Sequence, residues 1–369
     1  MSRAVRYVLR PGVVIVPDHA GGLALLTELD VKVSFSPLIN QVLTRLPADD
    51  GALVDALTSE HSAAEVYFTL LRLEKLGLIV AADAAVDPSV VFHLALSGGA
   101  AVTTPAPINV MAVGGLDLAG ISAALARSPF LQPSCSSAIS AHALNLILTP
   151  DYLDPELAEL GRLAYERGAR WLPVKTGGVM PSLGPLFLPS ETGCVECLLD
   201  RMRGNRHGRT FWLEESGKSL GLTAGETPAS RDALLGILVV ELEKLARGAE
   251  TRLAGAALTL DFRTLSLAHH RLMKRPQCPL CGQGWQPYRM VDGLPDEPFL
   301  LESRHKTDYR DNGERICTAL ETLERYAHLI DPMTGVVGAF HVLGDRPAGT
   351  GHVVVADWNV RGAPVPPGL

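Results

Sequence analysis

ETGCVECLLDRMRGNR, residues 191–206, places Cys194 and Cys197 as a CxxC pair at the start of a run with helical character. The spacing returns downstream in RPQCPLCGQGW, as Cys278 and Cys281. One CxxC turn holds two thiolates at two corners of a tetrahedron, and two turns complete a closed four-cysteine site. Gly193 and Gly282 permit sharp backbone beside each pair, and Pro276 and Pro279 stiffen the second. The four cysteines are therefore read as ligands of a structural Zn2+, with a redox or disulfide pair as the alternative use of the motif. Four thiolates leave no open position, which argues against catalytic zinc. His269 and His270, near the second pair, read as surface or supporting residues. Cys135 and Cys317 stand alone and read as small buried hydrophobes.

The chain has 369 residues, a length for two or three domains. It is 47% hydrophobic and 20% charged, a globular composition. A net charge of -7 and the lack of a long Lys/Arg block argue against nucleic-acid binding. The N-terminal MSRAVRYVLRPGVVIVP makes a poor signal peptide. The most apolar helical run, ALLGILVVELEKLA, is broken by Glu241 and Glu243 and too short for a bilayer. The expected location is the cytoplasm, without membrane contact. Paired thiols in a reducing compartment favour metal binding over disulfides.

Residues 1–82 read as a winged-helix-like module. RYVLRPGVVIVPD, LALLTEL and DVKVSFS are expected strands, the last with Val31, Val33 and Phe35 alternating on one half-buried face. SPLINQVLTRLP and DDGALVDALTSE are expected helices. SAAEVYFTLLRLEKLGLIV is a third, with Ser62 and Glu65 as a capping box and Gly77 at its end. Residues 83 to about 107 read as a linker with one strand. INVMAVGGLDLAGISAAL then has the shape of a Rossmann-type first βα unit. Its glycines, Gly114, Gly115 and Gly120, depart from GxGxxG, and Asp117 puts a negative charge where a phosphate would sit. A degenerate fold without nucleotide is expected. Helix and strand then alternate up to the second CxxC pair.

The segments YLDPELAEL, RWLPVKTGG, GPLFLPSETGCVECLLDRMRGNR and HHRLMKRPQCPLCG resemble the ThiF-like partner proteins of azoline-forming peptide cyclodehydratases. Those act on ribosomally made peptides such as thiazole/oxazole-modified microcins and related bacteriocins. The resemblance covers roughly residues 85–287. It implies an adenylating-enzyme-like fold with zinc on Cys194, Cys197, Cys278 and Cys281. The N-terminal module is similar to PqqD-like recognition domains, in which a leader peptide adds as a strand to the sheet beside the third helix. The matching positions are Val31, Lys32, Val33, Ser34 and Phe35 on the strand, and Tyr67, Leu70, Leu71 and Glu74 on the helix. RICTALETLERYAHLIDPMTGVVGAFHVLG resembles the opening of a YcaO-type domain, which carries the ATP- and Mg2+-dependent chemistry. Its ligands lie later in such domains, so ATP and Mg2+ are expected on a YcaO partner or a missing half. Glu321 and Glu324 read as a solvated helix face.

The resulting expectation is multidomain α/β and α+β. Residues 1–82 form the recognition module, 83–287 a degenerate ThiF-like domain with zinc, and 288–369 the incomplete start of a YcaO domain. The chain would bind a precursor leader and present core Cys, Ser or Thr to a YcaO-type cyclodehydratase, with no catalytic residues of its own. A homodimer and a flavin-dependent azoline dehydrogenase in the same pathway are further implied partners. The rival readings are an active ThiF-like adenylating enzyme acting on a peptide carboxylate and a winged-helix regulator. GGLDLAG argues against the first, and the sparse basic charge of the third helix against the second.

Overall fold

The computed structural model describes residues 4–18, 21–28, 30–82, 91–93, 96, 104–217, 225–282, 318–343 and 353–358. Packing divides the chain into two compact units. The first comprises Met1–Ala106, Ser128–Leu131 and Val240–Thr251; the second comprises Pro107–Arg127, Gln132–Val239 and Arg252–Leu369. The expected boundary after residue 82 runs into 83–90, and the one at 287 falls within 283–317, both outside the described residues. Cys317 lies there too.

In the first unit, β1 (Arg6–Leu9), β2 (Val14–Pro17), β3 (Leu23–Leu26) and β4 (Val31–Ser34) precede α1 (Pro37–Thr44). Then come β5 (Ala48–Asp49), α2 (Asp50–Leu57), α3 (Ala63–Lys75) and β6 (Ile79–Ala81). RYVLRPGVVIVP, read as one strand, is two strands in different sheets: β5-β1-β6 and β2-β3-β4. Gly12, at φ 86°, makes the break, a conformation that costs glycine little. The capping box at Ser62 and Glu65 forms as expected, and Gly77 ends α3 at φ 65°. Val66, Leu70 and Leu73 of α3 share a core with Leu25, Val42, Leu53 and Ile79. Residues 91–93 of the expected linker are helical.

β4 corrects the expectation of a half-buried apolar face. Leu25, in the core, pairs with Lys32, whereas Val31 and Val33 pair with Leu26 and Ala24. Directly paired residues share a face, so Val31 and Val33 look away from the core. Val31, Val33 and Phe35 are 56%, 49% and 63% exposed.

The second unit is built on a seven-stranded mixed sheet. Its elements begin with β7 (Ala106–Ala112), α4 (Ala119–Ala126), β8 (Leu131–Cys135), β9 (Leu144–Leu148), α5 (Pro155–Glu166) and β10 (Trp171–Lys175). They continue with β11 (Ser182–Leu183), α6 (Val195–Asn205), α7 (His207–Ser216), α8 (Pro228–Ala246), of which the residues from Val240 on belong to the first unit, β12 (Ala256–Asp261) and β13 (Ser266–Arg271). The strand order is β13-β12-β11-β10-β9-β7-β8. β7, β9 and β10 run parallel; β11, β12 and β13 continue antiparallel. All five residues of β9 are buried, as suits a central parallel strand covered on both faces. α5 starts at Asp154, whose carboxylate accepts from Glu156 N–H at 2.9 Å, with Pro155 at its first position. α9 (Ala319–Tyr326), β14 (Val337–Leu343) and β15 (Val353–Trp358) follow, the two strands antiparallel. Among the described residues, no helix is long and apolar enough to cross a membrane.

Candidate functional site

Helix α6 begins at Cys194, which stands at its N-cap, and Cys197 falls in its first turn. That places both side chains at one helix end. The second pair follows β13, where Arg275 O accepts from Cys278 N–H at 3.1 Å and Cys278 O accepts from Gly282 N–H at 2.9 Å. A Cβ on Gly282 would overlap the carbonyl oxygens of Cys278 and Pro276, so only glycine closes this turn. A Cβ on Gly193 would sit 3.2 Å from Leu272 and 3.5 Å from Cys197 Cβ. An ion pair between Arg275 and Asp200, at 3.2 Å, ties the second turn to α6.

The four sulfurs lie within 4.8 Å of one another and all four residues are buried. Cys194 and Cys278 Sγ are 3.4 Å apart, Cys197 and Cys281 Sγ 3.5 Å. A tetrahedron with Zn–S bonds of about 2.3 Å has S···S edges of about 3.8 Å, so a small inward or outward adjustment seats an ion. The hydrogen bond from Cys194 pulls the Cys197 thiol down to about 5 against the effect of burial, with help from Arg275 N–H at 3.4 Å. The same contact pushes Cys194 up, and burial pushes Cys281 to about 11. Cys197 is thus poised as a thiolate while Cys194 and Cys281 hold their protons more tightly, and a bound cation would displace those protons. Leu198, Leu199, Met202, Leu272 and Trp171 enclose it in one core.

The neighbouring histidines are not among the grouped ligands. His269 is exposed and its Nε2 meets Arg252 O at 2.7 Å. His270 is buried, with Nε2 2.7 Å from Thr259 Oγ1 and Nδ1 2.8 Å from Asp331 Oδ2. The expectation for Cys135 is corrected: it is exposed, its Sγ 3.4 Å from Ser122 Oγ, because it ends a strand at the sheet edge. Glu321 and Glu324 lie exposed on α9.

At the degenerate glycine loop, Gly114 and Gly115 take φ 67° and 70°. Asp117 Oδ1 accepts from Ala119 N–H at 2.9 Å. A carboxylate from just before the helix thus takes the first N–H of α4, where a nucleotide phosphate would need free N–H groups.

In the first unit, Val31, Lys32, Val33 and Ser34 form β4 and Phe35 follows it. β4 pairs with β3 alone, which leaves one edge of it unpaired among the described residues. On α3, Tyr67 and Leu71 are exposed at 45% and 61%, and Glu74 is half-buried, accepting from Tyr7 Oη at 3.4 Å. Leu70 lies instead in the core at 1% exposure, one helical step from the outward face. Phe68, 67% exposed beside Leu71 at i, i+3, belongs to the outward set and went unnoticed. An unbroken aromatic pair, Tyr67–Phe68, on a helix with one apolar stripe was the available signal.

No family model matches the sequence, and no curated protein does. Solved structures do. One is a heterocyclase in complex with substrate and cofactor: TM-score 0.74, 29% identity, covering 92% of this chain and 47% of that one. Another is the heterocyclase TruD: TM-score 0.66, 28% identity, covering 90% of this chain and 49% of that one. The chain spans about half the length of the heterocyclases it matches.

Proposed function

We propose that this chain is the recognition portion of an azoline-forming peptide cyclodehydratase. It binds the leader of a ribosomally made precursor peptide and presents the core Cys, Ser or Thr to a YcaO-type active site. That site, with its ATP and Mg2+, belongs to the rest of a longer chain or to a partner protein. The observation that carries this reading is the fold shared with a heterocyclase that binds substrate and cofactor, over 92% of this chain. The four buried cysteines hold a structural Zn2+ in this reading, since their donor set and spacing suit it. Residues 1–82 form the leader-binding module, 83–287 the zinc-bearing ThiF-like domain and 288–369 the start of the YcaO domain.

The leader adds as a strand along the unpaired edge of β4 and lays apolar side chains against Tyr67, Phe68 and Leu71. Main-chain hydrogen bonds supply affinity and the helix face supplies selectivity. Tethering then raises the concentration of the core at the active site. Asp117 at the start of α4 supports a domain that works without nucleotide.

The test is fluorescence anisotropy with the labelled leader of a precursor encoded beside this chain. Binding at micromolar protein is expected, weakened about tenfold in Tyr67→Ala and in Leu71→Ala, as for apolar contacts at an interface centre. Both side chains are largely exposed, so neither change empties the core. No binding by the wild-type chain would end this reading.

A further inference from the structure

The second unit contains a cavity of about 620 Å3 that neither the cysteines nor the leader-binding face uses. It lies at the carboxyl ends of parallel strands: Lys175 is the last residue of β10, and Tyr152 follows shortly after β9. In open α/β sheets that is where ligands bind, because the chain leaves each strand there and loops surround a crevice. Helix α7 also begins at this wall, with His207 and Gly208 lining the cavity.

The lining is basic. Lys175, Arg206, His207 and Arg209 line it, and among the described residues no Asp or Glu does. Two carboxylates stand behind the wall among the described residues: Asp151, paired with Arg209 at 3.2 Å, and Asp331, paired with His270 at 2.8 Å. Asp151 also acts on Lys175 and Arg206. Burial, together with the neighbouring cations, holds Lys175 and Arg206 below their ordinary values. Lys175, Arg206 and Arg209 thus share Asp151 as their nearby counter-charge, while Asp331 is engaged by His270. A concave wall of low polarisability concentrates that field. The rest of the wall is soft and apolar, with Met180, Met202 and Met333.

We infer that this cavity is an oxyanion-binding site, taking a carboxylate or phosphate carried on a small apolar body. Arginine forks match either oxyanion with paired N–H donors, and the lysine adds a point charge. The methionines fit the body without demanding one shape. Met333 comes from the segment that follows α9, and Asp331 holds that segment to His270. His270 in turn bonds Thr259, another lining residue. The site therefore sits where the sheet and the C-terminal segment of the second unit meet. It does not depend on leader binding by the first unit.

The experiment titrates the full, metal-loaded chain by calorimetry with N-acetyl-leucyl-leucine, its amide, AMP and adenosine. At least one anionic probe is expected to bind about tenfold or more tightly than its neutral counterpart. That binding should weaken as salt rises from about 20 to about 300 mM, since the charges are partly screened. Arg206→Gln and Lys175→Met should each weaken it about tenfold and leave leader binding unchanged. Preference for the acid assigns a carboxylate ligand, and preference for AMP a phosphate. Equal binding of each acid and its neutral counterpart, or no binding of either anion, overturns the inference. Should Arg206→Gln fail to fold, Lys175→Met and the salt series on the wild-type chain decide it.

Discussion

Cys197 and Asp331 show how a single side chain's surroundings set its part. Cys197, drawn toward the thiolate, anchors the four-sulfur site. Cys197→Ser is expected to lower bound zinc from about one per chain to a small fraction, because three thiolates no longer close a tetrahedron. Elemental analysis of the purified variant checks this. Metal binding displaces thiol protons, so a chelator should strip the wild-type chain faster at acid pH than at neutral pH. Asp331 is likewise held as an anion. Burial pushes its carboxyl up, but His270 and the N–H groups of Thr334 and Met333 outweigh burial and hold it below the ordinary value. A lowered carboxylate adds stability above its unfolded value of about 3.9, and that stability is lost as pH falls through the folded value. Asp331→Ala should therefore cost about 1–3 kcal/mol at neutral pH and little well below pH 4. Thermal unfolding of both proteins across pH measures the difference.

At the scale of elements, close approach decides which helices can meet. α5 packs on the sheet and on α6 through Gly161. A Cβ there would come within 2.7 Å of the Trp171 ring and 2.9 Å of Val195 Cβ. Trp171 stacks on Phe187 with centroids 4.4 Å apart, which leaves it little room to yield. Gly161→Ala is expected to destabilise by about 1–3 kcal/mol through overpacking, although alanine is the better helix former. Denaturant unfolding would show this as a lower midpoint at unchanged slope. In the first unit, α3 divides its residues the other way. Val66, Leu70 and Leu73 turn inward, while Tyr67, Phe68 and Leu71 are left outside.

At the scale of the whole molecule, the four-cysteine site belongs to one core. The cysteines sit in the cluster with Trp171, Leu198 and Leu272. The core around Leu25, Leu70 and Ile79 contains none of them. Metal removal should therefore lower the unfolding temperature of the second unit and leave leader affinity nearly unchanged. Differential scanning calorimetry and anisotropy on the same chelated sample test both halves of that statement. A parallel loss of leader binding would show that the two cores are not independent.

The local features were legible in the sequence because each rests on a few neighbouring residues. The CxxC spacing gave the four cysteines, Ser62 and Glu65 gave a helix start, and Gly77 gave its end. Asp117 marked a poor phosphate loop for the same reason. Strand direction was not legible at β4, since the alternation of Val31, Val33 and Phe35 fixes which residues share a face but not which face is covered. Pairing with β3 decided that, by placing Leu25 opposite Lys32. Only tertiary structure brought Lys175, Arg206 and Arg209 to one cavity. They come from a strand end and the start of a helix, and the field they make together exists only when the chain is folded.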